Sequence, residues 1–358
     1  MTGHPQPRRT TARPNPLHAQ RRLPFVSLAL VLALVLVLSI GLLLAGCGSE
    51  TTTTSAPAPT TASSAAATTT SAGDGTPTTS AQPNAFPVTV TDDNGNSVTV
   101  EARPMRIVST APAGTEALFA LGAGDRVVGV SSLDDYPAEV ADIAKVGDFQ
   151  VNTEAVMGLS PDLVLAYSGN EEALAPVEAT GCPVIVFNPT SIDGIYANLI
   201  TVGAVTGNSD EAAALVDSIK AEIEKIRLAA SVSSFAPKVF YALDNTLWTA
   251  GPGSFVDEIL KLVNAVNVGS MQGGNAAAQQ YYQFAPEQLI AADPDVILLP
   301  NTAYKSIDEF VNDARFAGLT AVKEGHVYLI DDVIVTRPGP RVAEGIKAVM
   351  EAVRPGAM

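Results

Sequence analysis

Histidine and cysteine are scarce in this chain of 358 residues, which has three histidines and two cysteines. His4 and His18 lie near the amino terminus, so His326 is the only imidazole in the rest of the chain. No Cys/His cluster exists that could hold zinc, and Cys182 has no second thiol spaced for a redox pair. A Ser-His-Asp hydrolase would have to use His326, which we predict to lie in a turn that enters a strand. The sequence therefore predicts no catalytic residue, no metal site and no enzyme.

Basic residues are also few. The chain has 21 lysines and arginines against 37 acidic residues, and its formal net charge is -16. Residues 1–46 contain five of the arginines and no acid, which leaves 16 basic and 37 acidic residues in the remainder. Such a surface repels nucleic acid and has no basic patch for phosphates. We therefore predict no nucleic-acid partner.

What the chain does have is an export signal at its start. Residues 1–25 are basic and proline-rich, and Val26 to Leu44 is uncharged and almost wholly apolar. The run ends in Leu44-Ala45-Gly46-Cys47, which resembles the lipobox of bacterial lipoproteins. We predict that residues 1–46 are a lipoprotein signal peptide and that Cys47 is lipidated, which anchors the protein to the outer face of the cell membrane. The alternative is an uncleaved anchor, because a run of this length can almost span a bilayer.

A low-complexity segment follows the signal. Residues 47–86 are mostly Thr, Ser, Ala and Pro. This composition cannot bury enough apolar area to offset the entropy lost on ordering. We predict a flexible tether between the membrane and the folded part.

From residue 87 onward, short β-branched runs alternate with helical stretches. The runs are Ile107-Val108, Val127–Val130, Leu163–Leu165, Val184–Phe187, Val239–Tyr241, Val296–Leu299 and Val327–Ile330. The alternation predicts an α/β fold with largely parallel sheets, and Asn94-Gly95 predicts an opening hairpin. We place an N-terminal α/β lobe at 87–207 and a C-terminal α/β lobe at 232–358.

One long helix is predicted between the lobes, over residues 208–231. Ser209-Asp210 can cap it, and apolar residues recur at spacings of three and four. These residues are Val216, Ile219, Ile223 and Ile226. Because the helix contains no glycine or proline, we expect a stiff connection and a ligand cleft that closes little on binding.

Two sequence patterns occur once in each predicted lobe. In the first, a glutamate begins a short helix and Pro-Asp opens a buried strand seven residues later. The matched positions of the first pattern are Glu154 with Glu287 and Asp162 with Asp295. In the second pattern, a threonine precedes a glutamate, and the matched positions are Thr110 with Thr249 and Glu116 with Glu258. Two patterns in the same order predict lobes of like topology. The alternative is that a common strand–helix sequence pattern recurs by chance.

Several separated motifs resemble the periplasmic-binding proteins for iron-siderophores and vitamin B12. These motifs are Arg106–Pro112, Leu121–Val130, Asp135-Tyr136-Pro137, Leu159–Val164, Thr249-Ala250-Gly251, Pro294–Ile297 and Arg337–Arg341. The resemblance covers essentially the whole folded part. It implies a monomer with two Rossmann-like lobes joined by a single long α-helix, and a ligand cleft between the lobes.

The resemblance also implies partners. A substrate-binding lipoprotein of this family delivers its ligand to an ABC permease and its ATPase, and a glutamate of each lobe docks on basic residues of the permease. Glu154 and Glu287 match these glutamates, and the internal repeat selects the same pair. The alternative role is local, because an acid in a first helical turn favours the helix dipole.

Matching to the cobalamin-binding members places a set of side chains around the ligand. The set is Phe149, Tyr167, Trp248 and Tyr281, with Tyr136 and Tyr282 as neighbours and Arg337 as the polar partner. Flat rings give a macrocycle a large contact area at little cost in rotamer entropy, and a guanidinium binds carboxylate or amide oxygens. The alternatives are core packing for the rings, and for Arg337 an ion pair with Asp331 or Asp332.

The aromatic set favours cobalamin or a related corrinoid as the ligand. A ferric siderophore is the alternative and haem the third candidate, and no resident cofactor is expected. Two positions depart from the family. Leu133 stands where a cobalamin-binding relative can have tyrosine, and Asn264-Ala265 replaces a glycine pair, which brings that turn into question.

A tethered surface or adhesion protein without a transport role is the alternative from another class, since Thr/Ser-rich tethers also occur in adhesins. It would leave the repeated glutamates and the aromatic set unexplained.

Overall fold

Two parallel β-sheets form the centre of the fold in the computed structural model, which describes residues 84–271 and 279–357. The predicted signal peptide 1–46, the lipidation site Cys47 and nearly all of the predicted tether 47–86 lie outside the described residues. Within the described part, no helix is both long and apolar enough to cross a bilayer.

The N-terminal lobe is built on one parallel sheet. Its strands are β1 (Val88–Thr91), β2 (Ser97–Val100), β3 (Ile107–Ser109), β4 (Val127–Val130), β5 (Ala144–Lys145), β6 (Leu163–Tyr167) and β7 (Val184–Phe187). Its helices are α1 (Pro112–Ala120), α2 (Thr153–Gly158), α3 (Glu171–Glu178) and α4 (Ile192–Thr206). The sheet has the order β5-β4-β3-β6-β7. β7 is buried along its whole length, as expected of a parallel sheet covered on both faces.

β1 and β2 form the predicted hairpin and pair antiparallel along their whole length. Five residues separate the two strands, more than a tight Asn-Gly turn requires. The Asp92 carboxylate accepts a hydrogen bond from the backbone N–H of Asn96 at 2.7 Å, and Gly95 has a φ of +83°. The side chain of Asp92 therefore closes a longer loop.

The C-terminal lobe repeats the design with a second parallel sheet. After helix α5 (Ser209–Ser231), its strands are β8 (Lys238–Tyr241), β9 (Trp248–Ala250), β10 (Val266–Asn267), β11 (Tyr281–Gln283), β12 (Val296–Pro300) and β13 (Val327–Ile330). Its helices are α6 (Phe255–Leu262), α7 (Pro286–Ala292), α8 (Asp308–Val311), α9 (Thr320–Glu324), α10 (Asp332–Thr336) and α11 (Val342–Val353). The sheet has the order β10-β8-β12-β13, and β9 and β11 form a separate antiparallel ribbon.

The long helix α5 joins the two lobes. Its buried face contains the residues that the spacing predicted, namely Val216, Ile219, Ile223 and Ile226. The helix packs against α4 of the N-terminal lobe and α11 of the C-terminal lobe. One apolar core therefore extends from Ile107 in the first lobe to Met350 in the second. A shared core resists relative motion of the lobes, because close-packed interiors deform little.

The first sequence repeat has an atomic basis. The Asp162 carboxylate accepts the backbone N–H of Arg106 at 2.8 Å, and that of Asp295 accepts the backbone N–H of Lys238 at 2.7 Å. The side chains of Arg106 and Lys238 in turn donate to carbonyls at the end of the preceding short helix. In each lobe, the Pro-Asp pair thus fixes the entry of one central strand against its neighbour.

Three further positions have plain structural roles. Asn264 has a φ of +54° after α6, a conformation that asparagine tolerates, so this turn forms without the glycine pair. His326 lies in the turn before β13, as predicted. Burial raises the pKa of Cys182 to about 11, and the residue packs in the apolar core.

Candidate functional site

A cleft of about 370 Å³ opens at the carboxyl ends of β3 and β6, where segments of both lobes meet. Of the predicted ligand residues, it brings together Phe149, Tyr167 and Arg337. Leu133 also lines the cleft, so this wall is aliphatic at the position where a cobalamin-binding relative can have tyrosine. The Phe149 ring is 82% exposed. A large exposed ring at the mouth of a cleft is suited to contact a ligand.

The β9–β11 ribbon contributes the aromatic residues of the opposite lobe. Trp248 pairs with Gln283, and Ala250 pairs with Tyr281. Because paired residues of a ribbon project to the same face, the side chains of Trp248 and Tyr281 share one face. These two side chains are 42% and 47% exposed. The alternation of the strands therefore presents both rings to solvent.

Tyr281 approaches Tyr167 from the other lobe. Burial is the main cause that raises the pKa of Tyr167, and the proximity of Tyr281 and Asp93 adds to it. Tyr281 is therefore near enough to Tyr167 to affect its pKa, although it does not line the 370 Å³ cavity itself. Trp248 does not line this cavity either, and it shares the ribbon face with Tyr281.

The predicted role of Tyr282 as a neighbour of the ligand needs correction. Its side chain points to the opposite face of the ribbon and is buried among Phe284, Leu289 and other core residues. Its hydroxyl donates to the carbonyl oxygen of Gly269. Strand alternation explains the error, since adjacent residues of a strand cannot both face the cleft.

Arg337 is held by two carboxylates of the opposite lobe. Its Nη1 donates to Glu116 Oε1 and to Asp135 Oδ1, both at 2.7 Å. The two alternative partners in the sequence serve elsewhere, because Asp331 caps α10 and Asp332 accepts from Thr302.

Arg341 completes this charge cluster. Its Nε and Nη2 donate to the two oxygens of Glu116 at 2.9 and 2.6 Å. Its guanidinium also lies 4.2 Å from the ring centroid of Tyr136, a cation–π contact. Tyr136 therefore packs on the charge cluster and does not line the 370 Å³ cavity, and its place beside the ligand stays a prediction.

The cluster stabilises the charged state of its arginines. Burial lowers the pKa of Arg337, but the hydrogen bonds to Asp135 and Glu116 outweigh this effect and raise it. The hydrogen bond to Glu116 raises the pKa of Arg341. Two guanidinium groups and two carboxylates meet here, so the cluster is close to neutral.

Asp134, the residue before the cluster, has no such compensation. Burial raises the pKa of its carboxyl group to about 6. Neither oxygen has a hydrogen-bond partner of good geometry, although the hydroxyl of Thr115 and the backbone of Ser131 lie near. The site therefore has one buried carboxyl group whose charged form is disfavoured.

A second polar contact joins the lobes at the matched position of the second repeat. Glu258 Oε2 accepts the backbone N–H of Ile192 at 3.1 Å, at the amino-terminal end of α4. A carboxylate there also interacts favourably with the helix dipole. Glu116 and Glu258, which match in the sequence, thus each contact the opposite lobe.

The predicted docking residues Glu154 and Glu287 are exposed. Each lies in the first turn of a short helix, α2 in the N-terminal lobe and α7 in the C-terminal lobe. The two lobes therefore present equivalent carboxylates to solvent.

Sequence reasoning missed the roles of Glu116, Asp135 and Arg341. A usable signal was present, because Arg337 and Arg341 are four residues apart and Glu116 is a lone acid in an otherwise apolar helix. Across residues 84–271 and 279–357, no group of His, Cys, Asp and Glu side chains is placed to hold a metal ion.

Comparison with known proteins identifies a family. The sequence profile described as "Periplasmic binding protein" matches residues 107–334. The ABC transporter substrate-binding lipoprotein YvrC of Bacillus subtilis is 34% identical over 280 residues, which cover 75% of this chain and 86% of that protein. The cobalamin-binding protein of Halobacterium salinarum is 29% identical over 279 residues, 75% of this chain and 74% of that protein.

A solved structure with a similar fold comes from Roseiflexus sp. RS-1. It is the periplasmic haem-binding protein RhuT in its apo form, with a TM-score of 0.64 and 26% sequence identity. The match covers 71% of this chain and 99% of that chain. The two-lobed fold expected from the sequence is thereby confirmed.

Proposed function

This chain belongs to the periplasmic binding protein family, and we propose that it captures cobalamin or a related corrinoid for an ABC importer. Its general role, a substrate-binding protein of the importers for vitamin B12, siderophores and haem, follows from the family match and the similar proteins. The choice of ligand within that range is our proposal.

The observation that supports a corrinoid is a cleft of little net charge that is lined by large rings of one lobe, together with a ribbon of the other lobe that exposes two more rings. Phe149 and Tyr167 come from one lobe, and Trp248 and Tyr281 from the other. The rings supply broad apolar contact for a flat macrocycle. Arg337, the basic residue of the described lining, is balanced by carboxylates. A corrin ring edged with amide groups suits such a surface better than a polyanionic ferric siderophore does.

Haem is the second candidate, and the likeness to a haem-binding structure favours it. Its two propionates would need cationic partners, whereas Arg337 already pairs with Glu116 and Asp135. A ferric siderophore remains the alternative for the same reason of family likeness.

We propose that delivery uses the lipid on Cys47 and the exposed carboxylates of Glu154 and Glu287. The lipid would keep the protein at the outer face of the membrane, where the permease lies. The carboxylates would meet basic residues of the permease, one from each lobe.

The test is a titration of the full-length chain in detergent with cobalamin, haem and several ferric siderophores. Trp248 is the only tryptophan in the sequence, so its emission, corrected for ligand absorbance, reports on the ribbon face. We expect saturable quenching by cobalamin with a Kd on the order of micromolar or lower. Calorimetry should show Trp248→Ala to bind about tenfold more weakly, as loss of a large contact ring implies.

The matched control is Phe235→Ala, which removes an exposed ring near the amino-terminal end of β8, at the sheet edge opposite the cleft. It should bind as the wild type does. Binding of a siderophore or haem alone would reject the corrinoid, and heat changes absent for every chelate would reject the chelate class altogether.

A further inference from the structure

We propose that Asp135, together with Glu116, sets the ligand charge that the cleft accepts, by neutralising Arg337 before any ligand arrives. The cleft would then bind a chelate with a neutral, amide-bearing edge and reject a polyanionic one. The proposal rests on the proposed function, since it explains why that cleft would select a corrinoid within the range of the family.

The charges of the cluster pair off one to one. Arg341 takes both oxygens of Glu116, which is the geometry of a bidentate guanidinium–carboxylate pair. Arg337 also donates to Glu116 Oε1, and it is the arginine that pairs with Asp135. Removal of the Asp135 charge would therefore take one carboxylate away from Arg337 and make the cleft wall more positive by one unit charge.

Arg337 retains hydrogen-bonding capacity in spite of this pairing. Both of its bonds use Nη1, so within the described part of the chain its Nε and Nη2 have no protein partner. A guanidinium has five N–H donors and no acceptor. Its free N–H groups can bind carbonyl oxygens of ligand amides while its charge is already balanced. The arrangement suits recognition of amides better than of carboxylates or catecholates.

The surroundings of the cleft reinforce this selection. Asp148 lines the cavity, and Asp93 lies near enough to Tyr167 to affect its pKa. Among the described lining residues there is no lysine, and Arg337 is the one arginine. A ligand with several negative charges would meet a field that is neutral to negative. At low ionic strength, such like charges repel over distances up to about a Debye length, roughly 10 Å at 0.1 M salt.

Asp135 is the member of the cluster that can be changed without loss of the fold. Its side chain is 59% exposed and makes one bond to Arg337, which Glu116 continues to hold. Glu116 is itself 1% exposed and ties two arginines across the lobes. Its removal would leave buried charges unpaired. Asp135→Asn keeps the size of the side chain and one acceptor oxygen, and it removes the charge.

The experiment compares the full-length wild type with Asp135→Asn and with Asp142→Asn. Asp142 is exposed at the end of the short 3-10 turn Ala138–Asp142, so its substitution changes the net charge equally without touching Arg337. The probes are cobalamin and a trianionic ferric tris-catecholate, each titrated by calorimetry at low and high salt.

We expect Asp135→Asn to bind the ferric tris-catecholate at least about tenfold more tightly than the wild type at low salt, with the gain shrinking as salt rises. Cobalamin affinity should change by a smaller factor than the affinity for the ferric tris-catecholate, because a neutral ligand responds less to one charge. Asp142→Asn should resemble the wild type with both probes.

The proposal is overturned if Asp135→Asn binds the anionic chelate no better than the wild type, including no measurable binding in either protein. An equal gain in Asp142→Asn would also overturn it, since net charge alone would then suffice. Failure of the corrinoid assignment would look different. In that case no protein would bind cobalamin, while the anionic probe would still separate Asp135→Asn from Asp142→Asn.

Discussion

Glu116 shows what a buried charge requires at the scale of a single residue. Its carboxylate is almost inaccessible to water, and an isolated charge in such a place would be strongly disfavoured. Arg337 and Arg341 resolve this by hydrogen bonds of 2.6 to 2.9 Å from the opposite lobe. A residue in the first helix of one lobe thereby fixes side chains that follow the last strand of the other.

Asp134 lacks this compensation, and its titration should be visible in the stability of the protein. Burial raises its pKa from 3.8 to about 6, so the folded state binds this proton more tightly than the unfolded state does. The contribution to stability is complete below about pH 4 and is lost as the pH rises through about 6. Above that pH the charged, buried carboxylate is a net cost.

We therefore expect Asp134→Asn to raise the free energy of unfolding by about 1–2 kcal/mol at pH 8 and to change it little at pH 4. Denaturant unfolding of both proteins at the two pH values measures this difference. A shift of equal size at pH 4 and pH 8 would show that the effect comes from packing and not from the charge.

Some individual site residues could be predicted and others could not, for a reason of distance along the chain. Phe149 lies on a loop that follows β5, and Tyr167 is the last residue of β6, so both lie where the ligand side of a parallel sheet is expected. Arg337 was found as a motif residue, but its partners are 221 and 202 positions away in sequence. No local pattern specifies which carboxylates a remote guanidinium meets.

At the scale of the element, the β9–β11 ribbon assigns opposite roles to two adjacent tyrosines. Tyr281 is half-exposed on the cleft side, and Tyr282 is buried with its hydroxyl on the Gly269 carbonyl. Period-two alternation explains the contrast. The ribbon escaped prediction because each strand has three residues and its pairing is long-range.

We expect Tyr281→Phe and Tyr281→Ala to leave the free energy of unfolding nearly unchanged, with Tyr281→Ala weakening ligand binding severalfold. Tyr282→Phe should instead cost about 1 kcal/mol of stability, because it leaves the buried Gly269 carbonyl without its donor, and should leave ligand affinity intact. Urea titration and calorimetry on the same three variants separate the two effects. A loss of affinity in Tyr282→Phe at unchanged stability would contradict this assignment.

Helix α5 and the parallel strands were predictable because their signals are local and strong. Apolar residues at spacings of three and four define the buried face of the helix, and β-branched runs define the strands. The hairpin was predicted at the correct place, but its loop is longer because Asp92 bonds to Asn96. A hydrogen bond between a side chain and the backbone of the same loop produces no periodic pattern in the sequence, so it could not be predicted.

At the scale of the whole molecule, the internal repeat places two exposed glutamates on equivalent helices. If Glu154 and Glu287 contact the permease, Glu154→Lys and Glu287→Lys should each lower uptake of the ligand into cells at least about tenfold, since a like charge then meets the basic partner. Ligand affinity of the isolated proteins should stay the same.

The control is Glu172→Lys, an equal charge reversal at another exposed acid in the first turn of an N-terminal helix, α3. Uptake should be normal in this variant. A comparable loss in Glu172→Lys would assign the effect to overall charge, and normal uptake in both docking variants would remove these residues from the interface.

The single passage of the chain through α5 has a consequence for biosynthesis. Every strand of the first sheet lies before residue 188, and every strand of the second lies after residue 237. The buried guanidinium of Arg126 also finds its acceptors in Pro104, Thr206 and Asn208. A chain exported amino end first can thus complete its first half outside the membrane while the second half is still inside. Glu116 stays unpaired until Arg337 and Arg341 have emerged, and the formation of these ion pairs then joins the two halves.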